Sequence, residues 1–112
     1  MSAPAQAVVT AVLTTVADPS AAQSLAHRLV EERLAACANI LPGVTSVFWW
    51  EGAVQRESEV LVVFKTTEAR YADLRRRLEE LHSYDVPEVL RLSVPETSES
   101  YLAWVRKEVG ES

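Results

Sequence analysis

Residues 31 to 52, EERLAACANILPGVTSVFWWEG, decide how the rest of the chain is read. They hold the only cysteine, Cys37, and two of the three tryptophans, Trp49 and Trp50. The segment leaves an amphipathic helix and enters one long strand bent at Pro42-Gly43, where proline cannot donate to a ladder and glycine permits a bulge. Such a kink belongs on an edge strand. Val47, Phe48, Trp49 and Trp50 then place large apolar side chains on both faces of the pleat. Trp49 and Trp50 point to opposite faces, so one is expected in the core and the other at an interface.

Working outward, the β-branched run VVTAVLTT (Val8 to Thr15) reads as a first strand. Asp18 offers an N-cap and Pro19 suits the first helical position, and Ala22, Leu25, Ala26, Leu29 and Leu34 line one face of a helix from Pro19 to Leu34. After the long strand, Glu51-Gly52-Ala53 signals a turn, and EVLVVFKT (Glu59 to Thr66) returns as the other arm of a hairpin. Thr67 is placed to cap a second helix that carries Tyr71, Leu74, Leu78 and Leu81 on one face and ends near His82. VPEVLRLSV (Val86 to Val94) supplies a fourth strand, and Ser98 to Val109 a short last helix stapled by Trp104.

The order β-α-β-β-α-β with a terminal helix predicts an α+β, ferredoxin-like fold, two helices packing on one face of a four-stranded antiparallel sheet. Residues 1–7 read as a loose tail and 8–110 as a single domain. Several strands are apolar on both faces, so partner subunits are expected to cover the sheet face that the helices leave bare.

The net charge is −5, and the only basic run, Arg75-Arg76-Arg77, is followed at once by Glu79 and Glu80. That pattern is a solvated helix face, not the basic stripe a nucleic acid requires. One cysteine makes no internal disulfide, and no stretch approaches the roughly 20 apolar residues of a membrane span, so a cytoplasmic protein is expected. With only Gly43, Gly52 and Gly110, there is no phosphate-binding glycine loop.

Cys37 has no His, Asp or second Cys at ligand spacing beside it, which favours a structural thiol over a metal ligand or nucleophile. His27 falls on the polar side of its helix. His82 closes the second helix just before Ser83-Tyr84-Asp85-Val86-Pro87-Glu88, bringing an imidazole, a phenol and two carboxylates together. Two readings stand: a helix C-cap, or a small site in which His82, Asp85, Glu88 and Tyr84 hold a divalent metal or a polar ligand.

The stretches ERLAACANILPGVTSVFWWEG (Glu32 to Gly52), FKTT (Phe64 to Thr67), LHSYDVPE (Leu81 to Glu88) and YLAW (Tyr101 to Trp104) resemble, in this order, the CutA divalent-cation-tolerance family. The resemblance covers Val8 to Val109 and implies a PII-like homotrimer linked to tolerance of copper and other divalent metals, and a non-enzymatic protein is expected. It also implies a copper site made from a cysteine near the end of the first strand and paired histidines before a Tyr-x-x-Pro segment. Here those positions hold Thr14 and Leu81-His82, and threonine is a poor copper ligand beside a thiolate. The expected site is therefore a weak one for Cu²⁺ or Zn²⁺ formed by His82 with Glu88 or Asp85, and by Cys37 from a neighbouring strand or subunit. The alternatives are a PII-like signalling module that takes a small anionic ligand between subunits, and a trimeric scaffold.

Overall fold

The computed structural model describes residues 8–111, and the expected tail at 1–7 lies outside them. The elements are β1 (Val9–Val16), α1 (Pro19–Glu31), β2 (Cys37–Trp50), β3 (Ala53–Thr67), α2 (Glu68–Leu81), β4 (Leu90–Val94) and α3 (Glu99–Glu108). The strands form one sheet in the order β2-β3-β1-β4 with every neighbour antiparallel. The expected α+β, ferredoxin-like arrangement is present, and the kinked β2 is indeed an edge strand.

Alternation along β1 and β3 sorts the side chains. Val12, Val16, Val60, Val62 and Phe64 face the helices and meet Ala22, Leu25, Ala26 and Leu29 of α1 and Leu74 and Leu78 of α2. Asp18 caps α1 by accepting from the Ala21 amide at 2.8 Å, and Pro19 opens it. The helix ends at Glu31, three residues before the expected Leu34. Arg33 adopts the left-handed conformation (φ 63°), the Arg33 amide donates to Val30 and the Leu34 amide to Leu29. This is a Schellman stop, a position where glycine is the usual residue. An arginine gives no such signal in a sequence.

The hairpin is longer than expected. β3 begins at Ala53, not Glu59, and Trp50 pairs with Ala53 across a two-residue turn whose members, Glu51 (φ 49°) and Gly52 (φ 80°), both have positive φ. That is the primed geometry that matches strand twist, so pairing continues through the polar residues 55–59. The ladder slips once, between Leu41 and Val44, at the Pro42-Gly43 bulge. Because β1 pairs with β3 only as far as Val16 to Val60, the ribbon made by 44–50 and 53–59 projects beyond the sheet. Neither tryptophan on it enters the core: Trp49 is 73% exposed and Trp50 44%, which corrects the expectation that one would be buried. β4 is shorter than expected, starting at Leu90 because 82–89 is spent crossing the end of the sheet.

On the opposite face, α3 covers one end, packing Val105 and Val109 on Val9 and Ala36, with Tyr101 and Leu102 alongside. Trp104 does not staple it. That ring lies against Tyr101 with centroids 5.7 Å apart and stays 41% exposed, so Val105 and Val109 are the anchors. The rest of the face is left open, where Leu90 pairs with Leu13 and Leu92 with Ala11, both leucines about half exposed.

Candidate functional site

His82 follows the last residue of α2 and folds back across the sheet end. Its Nε2 lies 2.8 Å from the carbonyl oxygen of Thr15, and its Nδ1 accepts from the Tyr84 amide at 3.1 Å. An accepting Nδ1 leaves Nε2 as the protonated nitrogen, which donates to Thr15. Both ring nitrogens are thus in use, and the imidazole also lies 4.7 Å from the Tyr84 ring. The side chain latches the α2–β4 connection to the end of β1.

That latch sets Tyr84 against the ribbon. The Tyr84 hydroxyl donates to Glu59 Oε2 at 2.7 Å. Burial first, and then the Glu59 carboxylate, push the phenol up to about 12, so it stays protonated as a donor. Between the ribbon and residues 84–88 opens a groove of about 890 Å³. Its apolar lining includes Val47, Phe48, Trp50, Val86 and Pro87. Its acidic lining is Glu57, Glu59, Asp85 and Glu88. The Glu88 carboxyl is raised above its ordinary value, chiefly by burial and further by the charge of Glu59. No arginine, lysine or histidine among the described residues forms an ion pair with any of the four.

Of the residues singled out in the sequence, Tyr84, Asp85 and Glu88 line the groove with Trp50, while His82 supports it from behind. Cys37 does not join them. It begins β2 opposite Lys65, toward the other end of the sheet, where its Sγ lies 3.5 Å from the Tyr101 hydroxyl. Trp49 lies on the other face of the ribbon from Trp50, and His27 is exposed on α1. Glu57 and Glu59 escaped the sequence reading. Their spacing of two residues on one strand, which puts both on the same face, was the available signal. Among the described residues no three His, Cys, Asp or Glu side chains come close enough to hold a metal ion together. The donors of one chain therefore do not make a closed copper or zinc site, which needs about four converging ligands. The arginine run is neutralised: Arg75 pairs with Glu79, Arg76 with Asp73 and Glu80, and Arg77 with Glu80 and, through two bonds of 2.8 and 3.0 Å, with Glu32 at the end of α1.

The fold and groove define a ferredoxin-like α+β protein with an acidic, aromatic-walled cleft at one end of its sheet. A family model described as CutA1 divalent ion tolerance protein matches residues 10–108. The chain is 44% identical over 99 residues to the divalent-cation tolerance protein CutA of Thermus thermophilus, covering 88% of this chain and 96% of that one. The crystal structure of CutA1 from Oryza sativa superposes with a TM-score of 0.90 at 38% identity, covering 97% of this chain and all of that one. A structure from Archaeoglobus fulgidus, described as a periplasmic divalent cation tolerance protein CutA, gives 0.87 at 31% identity over 90% of this chain and 98% of the other. The chain belongs to the CutA1 divalent ion tolerance family. No helix among the described residues is long and apolar enough to cross a membrane.

Proposed function

We propose that this chain is a non-enzymatic, homotrimeric divalent-cation-tolerance protein of the cytoplasm, in which divalent ions associate weakly with the carboxylates of the groove. The observation that carries this reading is the gathering of Glu57, Glu59, Asp85 and Glu88 in one cleft without a basic partner among the described residues. Carboxylate oxygens suit hydrated, hard divalent ions, whereas Cu²⁺ favours imidazole, and the His82 ring nitrogens are already engaged. The same four charges oppose an anionic ligand in this cleft, which weighs against the PII-like alternative. Homotrimer formation is supported by the apolar residues left outside: Val47, Trp49 and Val54 on one face of the ribbon, Phe48 and Trp50 on the other, and Leu90 and Leu92 on the open sheet.

Calorimetric titration of Cu²⁺ and Zn²⁺ tests the site. Weak binding is expected, lowered several-fold in Glu59→Gln and Glu88→Gln and unchanged in His82→Ala. Loss of binding in His82→Ala alone would return the imidazole to the ligand set, and no effect of either carboxylate variant would overturn the groove as the site.

A further inference from the structure

The ribbon made by 44–50 and 53–59 has two unlike faces. Ser46 pairs with Glu57, Phe48 with Gln55 and Trp50 with Ala53, so Glu57 and Glu59 share with Phe48 and Trp50 the face that lines the groove. Val47 pairs with Arg56 and Trp49 with Val54, and these alternate positions make the reverse face. Trp49, Val54 and Arg56 take no part in lining the groove, and the two apolar side chains are 73% and 57% exposed. Arg75, Arg76 and Arg77 are neutralised within the chain, whereas the exposed Arg56 has no ion-pair partner among the described residues. The groove also continues the open sheet face: Glu59, Leu61 and Val63 alternate to one side of β3, Val63 pairs with Leu13, and Leu13 with Leu90. One surface of the chain is therefore apolar and acidic, and another apolar and basic.

We infer that the reverse face of one copy's ribbon seats on the open face of the next copy, with Arg56 entering that copy's groove among Glu57, Glu59, Asp85 and Glu88. Two different surfaces meet, so each copy gives one and receives one, and a closed ring of three satisfies them all. A two-fold contact would instead set groove against groove, or Arg56 against Arg56, and like charges resist that. Trp49 and Val54 supply apolar burial, and the Arg56 stem has Val86 and Pro87 to lie on while its planar guanidinium meets the carboxylates. The apolar burial carries the affinity, and the charge fixes the placement. The inference rests on the homotrimer proposed above and adds which surfaces meet and the residue each copy contributes to its neighbour's cleft. One guanidinium among four carboxylates leaves that cleft acidic, so divalent ions keep their site.

The test is a charge exchange in the full chain, read by light scattering over a dilution series, with circular dichroism to check folding. Arg56→Glu and Glu57→Arg should each raise the concentration at which the trimer dissociates by about tenfold, because each sets like charges together between copies. The double variant Arg56→Glu/Glu57→Arg restores opposite charges and should dissociate within about threefold of wild type. The two side chains stand on opposite faces of one strand, so a repair inside a single chain does not account for that recovery. Should Arg56→Glu fail to fold, Arg56→Gln reads the same loss without the repulsion. A trimer indifferent to the single substitutions, or no recovery in the double, would overturn this contact and leave the homotrimer standing. A wild-type monomer would overturn both.

Discussion

Thr14 is fully buried on the helix-facing side of β1, and its hydroxyl has no hydrogen-bond partner among the described residues. Its neighbours on that face show the contrast: Thr10 donates to Glu68 at 2.7 Å, and Thr66 donates to the Leu34 carbonyl at 2.7 Å. An unpaired buried hydroxyl costs about 1–3 kcal/mol, so Thr14→Val, which keeps the β-branch, should stabilise the fold by about 1 kcal/mol. A higher urea midpoint at fixed protein concentration checks it, and a lower one would show that the hydroxyl has a partner. Glu68 is the opposite case. Its carboxyl is held below 4.5 by the Ser93 hydroxyl first, then by Thr10, with Arg91 adding charge. A depressed carboxyl stabilises the fold above its ordinary value, and the contribution fades as pH falls through the lowered one. Glu68→Gln should therefore melt below wild type at neutral pH, and the gap should close as melting curves are taken to acid pH.

The elements whose ends were legible are those whose stop residues have one meaning. Asp18-Pro19 marks the start of α1 and Pro42-Gly43 the bulge, because a capping carboxylate, a missing amide and a positive φ are tied to those residue types. The end of α1 was hidden because Arg33 takes a glycine's place, and its side chain gives the reason it is held there: it donates to the backbone carbonyl and the carboxylate of Glu108 in α3. The true start of β3 was hidden because residues 55–59 are polar and carry no apolar alternation, although Glu51-Gly52 signals the turn itself. That residue choice predicts a gain. Glu51 sits at φ 49°, where a side chain other than Asn or Asp is strained by about 1 kcal/mol, so Glu51→Asn should raise the unfolding free energy, read from urea titration, by roughly half to one kcal/mol. Gly52→Ala should lower it, since φ 80° suits glycine. The site was legible only where contiguous. Tyr84, Asp85 and Glu88 share one segment, but the acceptor that fixes His82 is a backbone oxygen 67 residues away, and no side-chain pattern encodes it.

At the scale of the whole molecule, ion pairs and exposed apolar surface are segregated. Ion pairs tie the helices to one another, among them Arg77–Glu32 between the α1 end and α2 and Arg33–Glu108 between the α1 end and α3 on the opposite face. The ribbon and open sheet carry the large exposed apolar side chains, from Trp49 at 73% to Phe48 at 38%. A two-stranded ribbon is marginal by itself in water, so a projecting one of this length, apolar on both faces, needs a surface to lie on. In the homotrimer proposed above, that surface is a second copy, and the open face around Leu90 and Leu92 is of matching character. Light scattering at micromolar concentration should then give three times the chain mass. Leu92→Asp and Trp49→Asp, one on each surface, should each shift the population to monomer and lower the melting temperature, because a charge would be buried without a partner. Salt separates this from an electrostatic association: the trimer should persist at high ionic strength, which screens charge pairs but not apolar burial. A wild-type monomer under these conditions, or a trimer indifferent to both substitutions, would show that ribbon and open face are not the surfaces that meet.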